Sequence, residues 1–317
     1  MTLRLHVDRA AWLAHLERTA ADHPGLIPVV KGNGYGFGIP RLCTHATGLS
    51  NAIAVGSVFE AHHVPSSHDA HVLTPIGPGL TADDVPSHAV MTVGSLWHVE
   101  VLAATGWRGR VTLKLRSSMQ RYGVTSRDRD ALRTSATRAG LEPIAWSLHL
   151  PLDGGEDARL GETRAWIGRL DDDLPVQVSH VSAASLATLR RDYSGRDIRV
   201  RLGTELWLGD KSMLRLSADV LDVHLEASGR AGYRRAEVPD GSAIVLAGAG
   251  TSHGVFAHDD GRSPFHFARR RLPLIEPPHM HTSMLVVADG GPCPSPGESL
   301  DVQAPLTRSH PDVVEWS

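Results

Sequence analysis

Eight short apolar runs recur through the first two-thirds of this chain, separated by segments of amphipathic character, and that rhythm restricts the fold more than any other feature. The runs are Ile27 to Lys31, Ala52 to Val55, Ala70 to Leu73, Ala89 to Val93, Val111 to Leu115, Pro143 to His149, Val176 to Ser179 and Ile198 to Arg201. Their length and branched-chain content suit strands. Helices are expected between them at Ile39 to Gly48, Ser95 to Thr105, Arg127 to Ala139, Glu162 to Leu170 and Ser182 to Arg191, while Val58 to Pro65 is too short for a good one. Eight parallel strands in about 200 residues predict a (β/α)8 TIM barrel, whose catalytic groups gather at the C-terminal ends of its strands.

Beyond Trp207 the pattern changes. Leu221 to Ala227, Ala243 to Ala247 and Met284 to Ala288 read as strands, with Gly and Pro turns between them and no long helix. The expected division is therefore a barrel over 1–212, with residues 1–10 pairing instead with the second domain, and a smaller C-terminal β domain over 213–317.

Composition excludes several classes. With 41% hydrophobic residues and a formal net charge of -3, the 317-residue chain lacks both the basic excess of a nucleic-acid binder and the bias of a disordered chain. Small neutral or anionic partners remain. Cys43 and Cys293 are too few for a metal quartet or a disulfide framework, which predicts a reducing compartment. The first residues run into Asp8 and Arg9, and no apolar run approaches membrane-spanning length, so a cytoplasmic protein without an export signal or anchor is expected. Asp171-Asp172-Asp173 reads as a solvated helix end and turn.

Of the 32 basic side chains only Lys31, Lys114 and Lys211 are lysine. An amine that sheds its proton to attack a carbonyl is the task arginine cannot take over, because the guanidinium stays protonated. Lys31 ends the first strand and leads into Gly32, Gly34, Gly36 and Gly38, an alternation that lets the backbone bend sharply but lacks a Walker or dinucleotide fingerprint. The competing reading is a lysine that merely snorkels to water. After the eighth strand, Arg201-Leu202-Gly203-Thr204 occupies the place where barrels bind phosphate through backbone N–H groups. An amine on the first strand and a phosphate seat on the last suit a phosphorylated carbonyl cofactor.

Val29-Val30-Lys31-Gly32-Asn33-Gly34-Tyr35-Gly36-Phe37-Gly38 resembles the cofactor-lysine signature of the alanine racemase family, V-K-A-N-A-Y-G-H-G. The resemblance continues in order. Lys114 to Gly123 is similar to K-x-D-T-G-M-x-R-x-G, Trp146 to His149 to the segment ending in the strand-six histidine, and His180 to Ser185 to H-x-x-N-S. Arg201 to Gly209 resembles R-x-G-x-x-L-Y-G, and Pro278-His279-Met280-His281 falls where the family has C-M-D. The resemblance implies a fold-type III pyridoxal 5'-phosphate enzyme, a homodimeric isomerase acting on a small amino acid, with interconversion of L- and D-alanine the leading activity. It implies that Lys31 holds the cofactor as a Schiff base and acts as a proton-transfer base. Tyr35, Ser182 and the backbone of Gly203 and Thr204 hold the phosphate; Arg201 faces the pyridine nitrogen with His149 hydrogen-bonded to it. Arg121 reaches the cofactor phenolate or the substrate carboxylate, and Met280 lends a backbone N–H.

The departures bear on mechanism. Where the family carries its second-base tyrosine, in G-Y-x-D-G, this chain reads Gly250-Thr251-Ser252-His253-Gly254. A neutral threonine hydroxyl is a poor base, so His253 is nominated as the catalytic substitute, against a turn histidine. Arg116 replaces the family's acidic residue and compensates charge beside Lys114, putting a lysine carbamate there in doubt; the family's C-terminal tyrosine element is absent from this sequence. Alternatives are one-base or retro-aldol chemistry on another amino acid, a cofactor-binding homologue without turnover, and a metal-dependent hydrolase built on His279-x-His281.

Overall fold

A computed structural model describes residues 2–317. The chain opens with strand β1 (Leu3–Val7) and helix α1 (Arg9–Asp22). Asp8 caps α1 by accepting from the Ala11 amide at 2.9 Å. This helix lies outside the predicted elements, because its buried positions Trp12, Leu16 and Thr19 mix apolar with polar side chains and blur the periodic signal.

The chain divides into two compact units, one of Leu16–Gly32 with Ile39–Trp207, the other of residues up to His15 with Asn33–Gly38 and Leu208–Ser317. In the first, strands β2 (Ile27–Pro28), β3 (Ala52–Val55), β4 (Asp69–Val72), β5 (Ala89–Val93), β6 (Arg110–Lys114), β7 (Glu142–Ser147), β8 (Val176–Ser179) and β9 (Ile198–Leu202) form one parallel sheet. Its order is β2-β9-β8-β7-β6-β5-β4-β3, and a bridge between Val29 and Ala54, with Val30 N–H donating to the Ala54 carbonyl at 2.7 Å, brings it nearly to closure. This is the predicted (β/α)8 barrel. Every residue of β3, β5 and β8 is buried, as expected for parallel strands covered on both faces. β2 is shorter than expected because Pro28 has no N–H to give the ladder.

Helices α2 (Ile39–Ala46), α3 (Leu96–Ala104), α4 (Arg129–Arg138), α5 (Gly155–Ile167), α6 (Ala183–Asp192) and α7 (Thr204–Leu208) connect the strands. Ser95 caps α3 and Ser182 caps α6, each accepting from the amide three residues on. α5 starts seven residues before the predicted Glu162, through a glycine-led and charged first turn that carries no apolar period. The acidic triplet also differs from expectation. Asp172 is nearly buried and accepts from Trp146 Nε1 at 2.9 Å, and it pairs with Arg133 and Arg196.

The other unit is built on β10 (Leu214–Ala231) and β11 (Ala236–Ala247), joined by β12 (Phe265–Phe267), β13 (Arg270–Arg271), β14 (Ser283–Val287), β15 (Ser299–Val302) and β16 (Val313–Trp316). β1 pairs antiparallel with β10, Leu3 opposite Ala218, and parallel with β16, Val7 opposite Trp316. Trp12, Phe37 and Trp316 interlock here, with ring centroids 5.1 to 6.0 Å apart.

Candidate active site

The C-terminal ends of the barrel strands carry an unusual density of positive charge. Lys31 follows β2, Lys114 ends β6, Arg121 stands on the loop after it, and Arg201 lies in β9. The glycines after Lys31 explain how the chain turns: Gly32, Gly34, Gly36 and Gly38 have φ of 63°, 60°, 91° and 84°, and Tyr35 shares that left-handed region at 53°. Glu60 fixes the turn, its two oxygens accepting from Gly32 N–H at 3.1 Å and Gly56 N–H at 2.6 Å.

Lys31 is solvent-accessible, yet its amine is held below the ordinary lysine value by partial desolvation and then by the charges of Arg121 and Arg201, with Glu60 opposing. Lys114 is buried, 3.2 Å from Ser147 Oγ, and its amine lies well below the ordinary range, through burial first and the two arginines second. Arg201 is also buried. It donates to Ser147 Oγ, to the Leu148 carbonyl at 2.8 Å and, at the 3.5 Å limit, to Gln177 Oε1. Burial pushes its guanidinium down to about 10, which leaves it charged at neutral pH.

Gln177 extends the network to His71 on β4, where Nε2 and the ring Nδ1 are 3.3 Å apart, and burial lowers that imidazole to about 4. His149 lies 2.8 Å from Ser179 Oγ through Nδ1, not on Arg201 as the resemblance implied; Arg201 instead takes the carbonyl one residue earlier. Burial, then Arg201 and Lys114, drive His149 down to about 2, so it is a neutral imidazole. The Arg121 loop is tied down at both ends: Ser117 Oγ donates to the His149 carbonyl at 2.5 Å, and Arg116 Nε donates to the Gly123 carbonyl at 3.0 Å. Ser118 donates twice to Glu162 at 2.6 Å.

Ser182 serves α6 in this chain. Its hydroxyl accepts from Ser185 N–H at 3.2 Å while its amide donates to Glu156 at 2.7 Å. Gly203 and Thr204 stand at the start of α7, whose first amides have no intrahelical acceptor. Lys31, Arg121, His149, Ser182, Arg201, Gly203 and Thr204 thus share the barrel unit, and Tyr35, His253 and Met280 belong to the other. Tyr35 is buried there; Met280 is 67% exposed. His253 is buried, its Nδ1 accepting from Gly250 N–H at 3.1 Å and its Nε2 lying 3.3 Å from Asp312. With both ring nitrogens so engaged, it must release one partner before it can take a substrate proton. His279 Nε2 lies 2.5 Å from Glu276, and His281 Nδ1 2.9 Å from Ser252.

Ser147, Gln177, His71, Ser179 and Glu60 escaped sequence reasoning. The available signal was a polar residue interrupting an apolar strand, as Gln177 does between Val176 and Val178. The residues fit a phosphorylated aromatic aldehyde on charge grounds. Among the described residues no carboxylate lies within 4 Å of Lys114 or Arg201. Burying an ion costs several kcal/mol, whereas a hydrogen bond to a charged group returns roughly 1.5–3 kcal/mol. A neutral hydroxyl and carbonyls do not offset two buried cations, and a multiply anionic ligand does.

Residues 7–210 match the family "Alanine racemase, N-terminal domain". An alanine racemase of Mycobacterium bovis is 26% identical over a 332-residue alignment covering 95% of this chain and 85% of that protein. Among solved structures, alanine racemase from E. faecalis superposes with a TM-score of 0.73 at 20% identity, covering 100% of this chain and 98% of the other. Alanine racemase from Bartonella henselae, solved with covalently bound pyridoxal phosphate, gives 0.72 at 15% identity with full coverage of both chains. At these identities the structural likeness speaks for the fold.

Proposed function

The chain belongs to the alanine racemase family, and from that premise we propose that it is a pyridoxal-phosphate-dependent isomerase interconverting L- and D-alanine. The observation that carries the reading is the Lys31 amine, accessible and depressed, at a barrel mouth whose buried cations lack acid partners. Pyridoxal phosphate, when bound, supplies an aldehyde for the amine and a ring that accepts the electrons of a breaking Cα–H bond.

The chain's own residues do the rest. Lys31 attaches the cofactor through Nζ and carries a proton to or from the substrate α-carbon; its lowered basicity keeps more of it neutral, as nucleophile and base require. Arg201 would hold the ring nitrogen, and because a guanidinium is a poor proton donor that nitrogen would stay unprotonated and the electron sink moderate. Ser147 and the Leu148 carbonyl hold that guanidinium. Arg121 orients the substrate carboxylate, and neutral His149 adds no further charge beside Arg201. The Gly203 and Thr204 amides at the start of α7 would receive the phosphate. We take the assembly to be a cytoplasmic homodimer in which Met280 of the partner subunit lends its backbone N–H; the exposure of the Met280 side chain supports this. Among the described residues no helix is long and apolar enough to cross a membrane.

The test is direct. Purified protein with the cofactor should show an imine absorption band, fixed on Lys31 by borohydride, and either enantiomer of alanine in deuterated water should yield both enantiomers carrying α-deuterium. Absence of label at Lys31, or alanine recovered unexchanged, refutes the reading.

A further inference from the structure

We propose that His180 is the second proton carrier of this site, exchanging the α-proton on the substrate face opposite Lys31. The inference rests on the racemase reading, since inversion at carbon requires a proton to leave one face and another to arrive at the opposite one.

Position comes first. In the barrel order β9 lies between β2 and β8, so Lys31 and His180 leave the barrel on the two strands flanking the one that carries Arg201. The strand that carries Arg201 therefore has a titratable side chain after each of its two neighbours. His180 is exposed, whereas the four residues of β8 before it are buried. Its φ is 60°, in the left-handed region that a side chain with a β-carbon seldom adopts, and such strain persists where the surroundings impose it. Its ring lies edge-on to His149, with centroids 4.9 Å apart, and neither nitrogen has a hydrogen-bond partner among the described residues.

The other groups at the mouth are unsuited. Both Glu60 oxygens accept backbone amides. Lys114 is buried against Ser147, and a guanidinium is too poor a base to take the proton from carbon. His149, at about 2, is too weak a base and holds Ser179. Desolvation, then Arg201, Arg159, Lys31 and Arg121, lower His180, which favours the neutral imidazole over the protonated one. The balance closes without a further reactant. One of the pair takes the proton as the Cα–H bond breaks, the other, protonated, delivers a proton to the same carbon, and both regain their starting states through water at the open mouth.

His180→Asn tests this, because asparagine tolerates left-handed backbone but carries no proton. The variant should keep the imine band and the Lys31 label. It should still exchange the α-proton of one alanine enantiomer in deuterated water with retention, while racemisation falls by about 10²-fold or more, and added imidazole should restore part of the inversion. Racemisation at the wild-type rate overturns the proposal; so does loss of exchange from both enantiomers together with the imine band, which marks a structural role. Loss of inversion in His253→Gln but not in His180→Asn also overturns it, in favour of the turn histidine. Wild-type protein that binds the cofactor yet exchanges no alanine α-proton overturns the racemase reading itself, a separate outcome.

Discussion

Arg201 donates to the hydroxyl of Ser147 from two strands away, passing β8 to reach β7. The same oxygen lies 3.2 Å from the Lys114 amine, so two buried cations converge on one neutral acceptor. That convergence makes Ser147 the residue on which the positions of both basic side chains depend.

Ser147→Ala removes the shared acceptor and leaves Arg201 with the Leu148 carbonyl and, at 3.5 Å, Gln177 Oε1. An unsatisfied buried group costs roughly 1–3 kcal/mol. Pyridoxal phosphate affinity, read by titrating the imine absorbance, should fall about tenfold or more, with Ser147→Thr restoring it. Unchanged affinity and melting temperature in the alanine variant would remove Ser147 from the account.

Lys31→Arg keeps the charge but cannot form an imine. The visible band and the borohydride label should vanish, and alanine racemisation should fall by at least roughly 10³-fold, given that a base alone contributes about 10²–10⁴. Label recovered on another lysine would relocate the chemistry.

Gly123 has φ 129°, and a Cβ there would run into the Leu115 carbonyl group. Gly123→Ala should therefore lower stability by roughly 1–3 kcal/mol in urea unfolding. Because the loop between Arg116 and Gly123 carries Arg121, it should also raise the KM for alanine more than it lowers kcat. A variant with wild-type stability and KM would show that the loop bends freely.

Glu156 is held down at about 2 although partial burial opposes its ionisation; hydrogen bonds from Ser185, Ser182 and Arg159 prevail. Its folded value lies below the ordinary 4.5, so its stabilisation is fully present above about 4.5 and is lost as pH falls towards 2. Melting temperatures of wild type and Glu156→Gln should differ at pH 6 and converge near pH 2. Parallel curves across that window would exclude the linkage.

Much of the barrel was legible because parallel strands buried on both faces must be continuous apolar runs; β3, β5 and β8 have the bounds their sequences suggested. α1 was not legible, since Thr19 shares its buried side with Trp12 and Leu16. Lys31 and Arg201 stood out by residue type and place. Ser147 and Gln177 did not, because a serine or glutamine in a strand has many local explanations and its partner is remote in sequence.

By itself the sequence determined the alternation of strands and helices, the glycine-led turn after Lys31 and the place of that lone amine at the end of the first strand, because each depends on neighbours along the chain. Only the tertiary structure decided which charges meet. Lys114 sits opposite Ser147 through the register of β6 on β7, and Arg201 reaches that hydroxyl through the order of the sheet; both relations arise when separate strands align, which no local pattern contains.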